Sequence, residues 1–123
     1  MQLLSEWLEP ISVEEFISDA KTRYASYKAF QEIIEALMDI SAMIVKDIGE
    51  EPKDDYTNLE TLVKHKVISL DQSDSLASAN SLRNWIIHRY NKINDSVAYE
   101  RMLDLIENIE NIVEAFTSWL EKI

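Results

Sequence analysis

Apolar residues recur along this chain at steps of three and four, the spacing of a helix buried on one side. The longest run lies at 20–48. There Tyr27, Phe30, Ile34, Leu37, Ser41, Ile44 and Ile48 form one stripe, widened by Ile33 and Ile40. Glu32, Glu35, Asp39 and Lys46 take the other side, and Gly49 stands where a helix end favours a left-handed residue. A second long run, about Ser96–Lys122, carries Leu103, Ile106, Ile109, Ile112, Val113, Phe116 and Leu120, with Asp95 as its expected N-cap. Between the two, the pattern predicts a short helix at about Thr57–Lys66, with Leu59, Leu62 and Val63 inward. A longer one follows at about Leu70–Lys92, opened by Ser69 and Gln72 at the spacing of a capping box. Upstream, a short helix through Leu3, Leu4, Trp7 and Leu8 should end at Pro10. Ser12 should cap the next, with Glu14 and Glu15 in its first turn and Phe16 and Ile17 as its buried contacts. The expected architecture is all-α: an up-and-down helical bundle of about four main helices plus short ones, in one domain spanning residues 1–123.

Composition sharpens this picture. One glycine and two prolines leave little material for the turns of a strand-rich fold and favour long helices with short connections. The absence of cysteine removes disulfides, thiolate metal sites and a cysteine nucleophile. With two histidines in the chain, no histidine-based metal site is expected, and no cofactor. The acidic segment Glu50–Asp55 is too short for a calcium loop, whose ligands spread over about twelve residues. His65, between Lys64 and Lys66, reads as exposed and solvated. Glu35 and Asp39, four apart, read as part of an exposed or interface-facing polar strip rather than a carboxylate pair for a metal or a proton. No stretch approaches the roughly eighteen uninterrupted apolar residues of a membrane span. The opening MQLLSEWLEP has acids where a signal peptide needs positive charge, so a cytoplasmic protein with no membrane contact is expected. The net charge of −11 opposes non-specific binding to nucleic acid, so any contact with RNA should be local and built from two subunits.

One stretch breaks the acidic pattern. The chain holds 23 Asp and Glu, yet none falls between Asp74 and Asp95, where Arg83, His88, Arg89, Tyr90 and Lys92 occur. At about 100° per residue, Leu82, Trp85, Ile86 and Arg89 share a packing side with Ala79 and Ile93 nearby. Arg83, Asn84, Ile87, His88 and Asn91 form the opposite, polar side, with Tyr90 at its edge. Arg83 offers a fixed positive fork suited to phosphate. His88 titrates near neutral pH and suits general acid–base work. Asn84, four residues before His88, can orient it by hydrogen bonding. Arginine plus histidine without metal ligands fits RNA cleavage through the ribose 2′-hydroxyl, the guanidinium steadying the charged phosphate. The same residues fit a buried hydrogen-bonded pair or a subunit contact, and Tyr90 fits a helix-end aromatic packed on the bundle.

The run Arg83-Asn84-x-x-x-His88-x-Tyr90, followed by Asn94-Asp95, resembles the Arg-x4-His-x-Tyr signature of HEPN-domain proteins, specifically the HepT toxin family. The blocks Glu14–Asp19 and Glu35–Ile40 are similar to that family's first and second helical blocks, and the likeness covers about residues 12–120. It implies a helical homodimer whose motif helices line a shared cleft. It also implies metal-independent endoribonuclease activity on RNA and a minimal nucleotidyltransferase partner of the MNT type, in a toxin–antitoxin pair. By the resemblance Arg83 and His88 are catalytic, Asn84 supports them, and Tyr90 is the hydroxyl that accepts AMP from the partner. A second reading stays open: a non-catalytic dimeric module that docks the nucleotidyltransferase and serves it through Tyr90. One departure is visible: about ten residues precede the Ser12 block, where family members commonly have a longer helix.

Overall fold

The computed structural model describes residues 2–88 and 94–122. Among these residues six helices follow in order: α1 (Gln2–Leu8), α2 (Val13–Ser18), α3 (Ala20–Ile48), α4 (Asp55–Lys64), α5 (Leu70–His88) and α6 (Asp95–Glu121). No strand occurs among the described residues. Each helix boundary has a local cause. Ser12 accepts from the Glu15 amide and Asp19 from the Thr22 amide, opening α2 and α3. Gly49, at φ +97°, ends α3: its N–H returns to the Lys46 carbonyl and that of Glu50 to the Val45 carbonyl. At the head of α5 the Gln72 amide donates to Ser69 Oγ while the Ser69 amide donates to Gln72 Oε1, the reciprocal box its spacing predicts. Asp54, inside what reads in the sequence as an acidic loop, caps α4 two residues earlier than expected.

Helix α5 packs against α3, α4 and α6, while α1 and α2 close the bundle against α3 and α6. The core runs from Leu4 and Leu8 through Phe16, Phe30, Ile34 and Ile44 to Leu82, Ile109 and Phe116. Expected and observed core lines differ at their edges. Ile17 is exposed, because the six-residue α2 buries only the side that carries Phe16. In α6 the line runs through Met102, Leu105, Ile109, Ile112 and Phe116, so Val113 falls on its rim and is exposed. Leu120 is exposed as well, and Trp119 makes the packing contact at that end. His65 is bonded to Glu50 rather than solvated alone. That bond is the main cause holding the Glu50 carboxyl below its ordinary pKa. The side chain of Leu3 and residues 89–93, which carry Arg89, Tyr90, Asn91, Lys92 and Ile93, lie outside the described residues.

Long-range ties fix the start of α6. The Tyr99 hydroxyl donates to the Ile11 carbonyl at 2.5 Å, fastening the α1–α2 junction. At the other tie, Asn94 rather than Asp95 is the N-cap of α6, accepting from the Val97 amide. Asp95 is thereby released to receive the Tyr27 hydroxyl and to face Arg23 Nε at 3.5 Å. Burial raises the Tyr27 phenol pKa, and its bond to Asp95 raises it further. Tyr27→Phe should therefore cost about 1–2 kcal/mol in chemical denaturation at neutral pH. Its sign with pH follows from linkage: below about pH 10 both states keep the proton and the contribution is complete. Above that, the unfolded chain ionises first, so stability falls as pH rises. Tyr27→Phe should flatten that alkaline fall.

Candidate functional site

Helix α5 is an unusual mixture. Leu76, Ala79, Leu82 and Ile86 are buried on its core side, but so are Ser73 and Asn80. Asn80 is 1% exposed, and its Nδ2 donates to Asp55 Oδ2 at 3.3 Å, joining α5 to the first turn of α4. The acceptor direction of Asp55 fixes which way that amide points. Tyr56 and Ser81 make a second tie between the same helices, hydroxyl to hydroxyl at 3.1 Å.

Arg83 lies one turn beyond Asn80, with its side chain 15% exposed. Its Nη2 donates to Asn84 Oδ1 at 3.0 Å. Two carboxylates from two other helices face the guanidinium: Glu35 of α3 lies 3.8 Å from Nη1, and Asp55 of α4 lies 3.9 Å from Nη2. Both separations are ion-pair distances, longer than hydrogen bonds, so they orient the cation without consuming its N–H groups. Arg83 Nε is buried and meets no acceptor among the described residues. Glu35 is itself steadied by Gln31, whose Nε2 donates to Oε1 at 3.4 Å. The polar strip expected at Glu35 and Asp39 thus divides: Asp39 is exposed, and Glu35 faces Arg83.

His88 is exposed at the last described residue of α5. Five residues at about 100° each separate it from Arg83 by about 140° around the axis. One chain therefore brings Asn84 to Arg83, while His88 stands exposed at the far edge of the same polar side. Tyr90 lies outside the described residues. Asn80, Asp55 and the partnership of Glu35 are not legible in the sequence. The only hint is that an arginine in an acid-free stretch of its helix, beyond Asp74, finds no acid one turn away and must find its countercharges on other elements. Among the described residues, no group of three or more His, Cys, Asp or Glu is placed to hold a metal ion, and no helix is long and apolar enough to cross a membrane.

The model of the HepT-like ribonuclease family matches residues 1–116. The chain belongs to the HepT-like ribonuclease family. Similar proteins include three archaeal chains, each named "Putative RNase". One from Archaeoglobus fulgidus is 32% identical over 121 residues, covering 96% of this chain and 91% of its own length. Another from the same organism is 38% identical over 88 residues, 66% of this chain and 67% of that one. One from Methanocaldococcus jannaschii is 48% identical over 67 residues, 54% of this chain and 77% of that one. Among solved structures, the tri-AMPylated HEPN toxin of Shewanella oneidensis in complex with its MNT antitoxin superposes with a TM-score of 0.83. That match covers 95% of this HepT-like chain and 87% of the toxin at 19% identity, and so establishes a common fold.

Proposed function

We propose that this HepT-like chain is a metal-independent endoribonuclease, the toxin of a pair with an MNT-type nucleotidyltransferase. One observation carries the reading: in a member of a ribonuclease family, a guanidinium flanked by two carboxylates beyond hydrogen-bond distance shares its helix with an exposed histidine. His88 takes the proton of a ribose 2′-hydroxyl. The 2′-oxygen then bonds to the adjacent phosphorus and the phosphorus–5′-oxygen bond breaks. The protonated imidazole returns its proton to the leaving 5′-oxygen. Arg83 neutralises the charge that gathers on the phosphoryl oxygens, and Asn84 holds Arg83 through its amide oxygen. The wide angle between Arg83 and His88 supports a cleft shared by two copies of the chain, each histidine serving opposite a partner arginine. Such a homodimer in the cytoplasm also reconciles RNA binding with a net charge of −11, because the two acid-free stretches at residues 75–94 are brought together.

The test is an oligodeoxynucleotide carrying a single ribose. It should be cut at that ribose alone, leaving a 2′,3′-cyclic phosphate, and an all-deoxy strand should survive intact. Cutting at the deoxy positions would refute the 2′-hydroxyl mechanism.

A second reading is favoured by the Shewanella toxin, which carries AMP and sits with an MNT antitoxin. Here Tyr90 is the acceptor of AMP groups from a nucleotidyltransferase partner, either silencing the nuclease or serving a chain that does not cut RNA. Its readout is intact mass: additions in steps of AMP, lost in Tyr90→Phe.

A further inference from the structure

We infer that Asp55, tethered by Asn80, is the positioning residue of Arg83, with Glu35 as the opposite side of the same cradle. The inference rests on the ribonuclease reading and concerns how its arginine is aimed. Three observations converge on it. First, Asn80 is a polar side chain almost wholly removed from water on the core side of α5. Burying an amide costs stability unless it is bonded, and its one bond goes to Asp55 Oδ2, the atom that faces Arg83 Nη2. Its Oδ1 has no donor among the described residues, so the tether is kept although half of the amide goes unsatisfied. Second, Asp55 lies in the first turn of α4, behind its cap Asp54. The positive end of that helix favours the ionised carboxylate there, so the countercharge is fixed by backbone as well as by Asn80. Third, the two carboxylates come from different helices and lie on different nitrogens of one guanidinium, which restrains both its tilt and its rotation. Neither approaches within hydrogen-bond distance, so neither carboxylate takes an Nη N–H that a phosphate could use, although Nη2 gives one to Asn84.

The arrangement makes an uncommon kinetic demand. Two carboxylates aim Arg83 but also repel the RNA that it meets. Removing one charge should misplace the arginine and slow the chemical step, while easing the approach of a polyanion. A role confined to folding produces no such split.

Five proteins are compared on one RNA: wild type, Asp55→Asn, Asp55→Glu, Asn80→Leu and Arg83→Ala. Binding is read separately with the all-deoxy analogue. Asp55→Asn should lower kcat by about ten- to a hundredfold, the usual effect of displacing a catalytic group by about an ångström. The analogue should bind it as tightly as wild type or more tightly. Asp55→Glu, which restores the charge, should recover part of the rate. Asn80→Leu, which cuts the tether from the other helix without adding a charge, should show the same loss in kcat. An unchanged kcat in Asp55→Asn and Asn80→Leu, beside an inactive Arg83→Ala, would overturn the positioning role alone. An Arg83→Ala protein that cuts as well as wild type would instead remove the ribonuclease reading on which it stands. A drop in kcat matched by equally weakened binding or by a lowered melting temperature would mark Asp55 as structural and count against the inference.

Discussion

His88→Ala should reduce RNA cleavage by about two to four orders of magnitude, the range over which a positioned general acid or base acts. The same substitution should leave the fold almost untouched. His88 is exposed at the end of α5, and an exposed change away from caps and ion pairs shifts stability by less than about 0.5 kcal/mol. Circular dichroism and thermal melting of the variant should therefore overlay those of wild type while its cleavage is lost. This separation of chemistry from stability is the signature of a residue that faces substrate. A histidine kept for packing would show the reverse.

Leu82→Ala should do the opposite. Leu82 immediately precedes Arg83 but is turned about 100° from it, 0% exposed against the core. Truncating a wholly buried leucine removes apolar contact and leaves a cavity, at a cost of about 2–5 kcal/mol. Domains have about 5–15 kcal/mol in all, so this substitution takes a large share. Melting should fall by on the order of 10 °C in calorimetry. Cleavage per folded molecule should fall less than in His88→Ala, since the ion pairs of Arg83 with Glu35 and Asp55 are made by other side chains.

The contrast between Leu82 and its neighbours also explains what the sequence could and could not disclose. Long stripes such as Phe30–Ile34–Leu37–Ser41–Ile44 are buried as their spacing requires, because a single helix face decides their fate. The caps at Ser12, Ser69 and Gly49 are local, and local chemistry suffices to place them. Burial at rim positions is not local. Ile17, Val113 and Leu120 are apolar but exposed, since what covers them depends on neighbouring helices. Asn94 and Asp95 are equally good caps by type, and the choice falls to Asn94 because Asp95 has partners in Tyr27 and Arg23, many residues away.

The candidate site divides in the same way. The acid-free stretch advertises Arg83 and His88 by composition alone. The carboxylates that hold Arg83 come from segments that look like a helix surface and an acidic loop, and nothing in their own neighbourhood marks them. Asn80 looks like a surface residue and is nearly buried, because its partner Asp55 lies 25 positions upstream. In a small helical protein, single helices write the scaffold, while the aiming of a functional group is written between helices.

The proposal has this HepT-like chain cutting RNA through the 2′-hydroxyl with its own side chains. The most direct measurement digests the single-ribose oligonucleotide with purified protein in excess EDTA. One cut is expected, at the ribose, at the rate seen without chelator. No cut in EDTA and restoration by added magnesium would contradict it, transferring the chemistry from Arg83 and His88 to a metal ion.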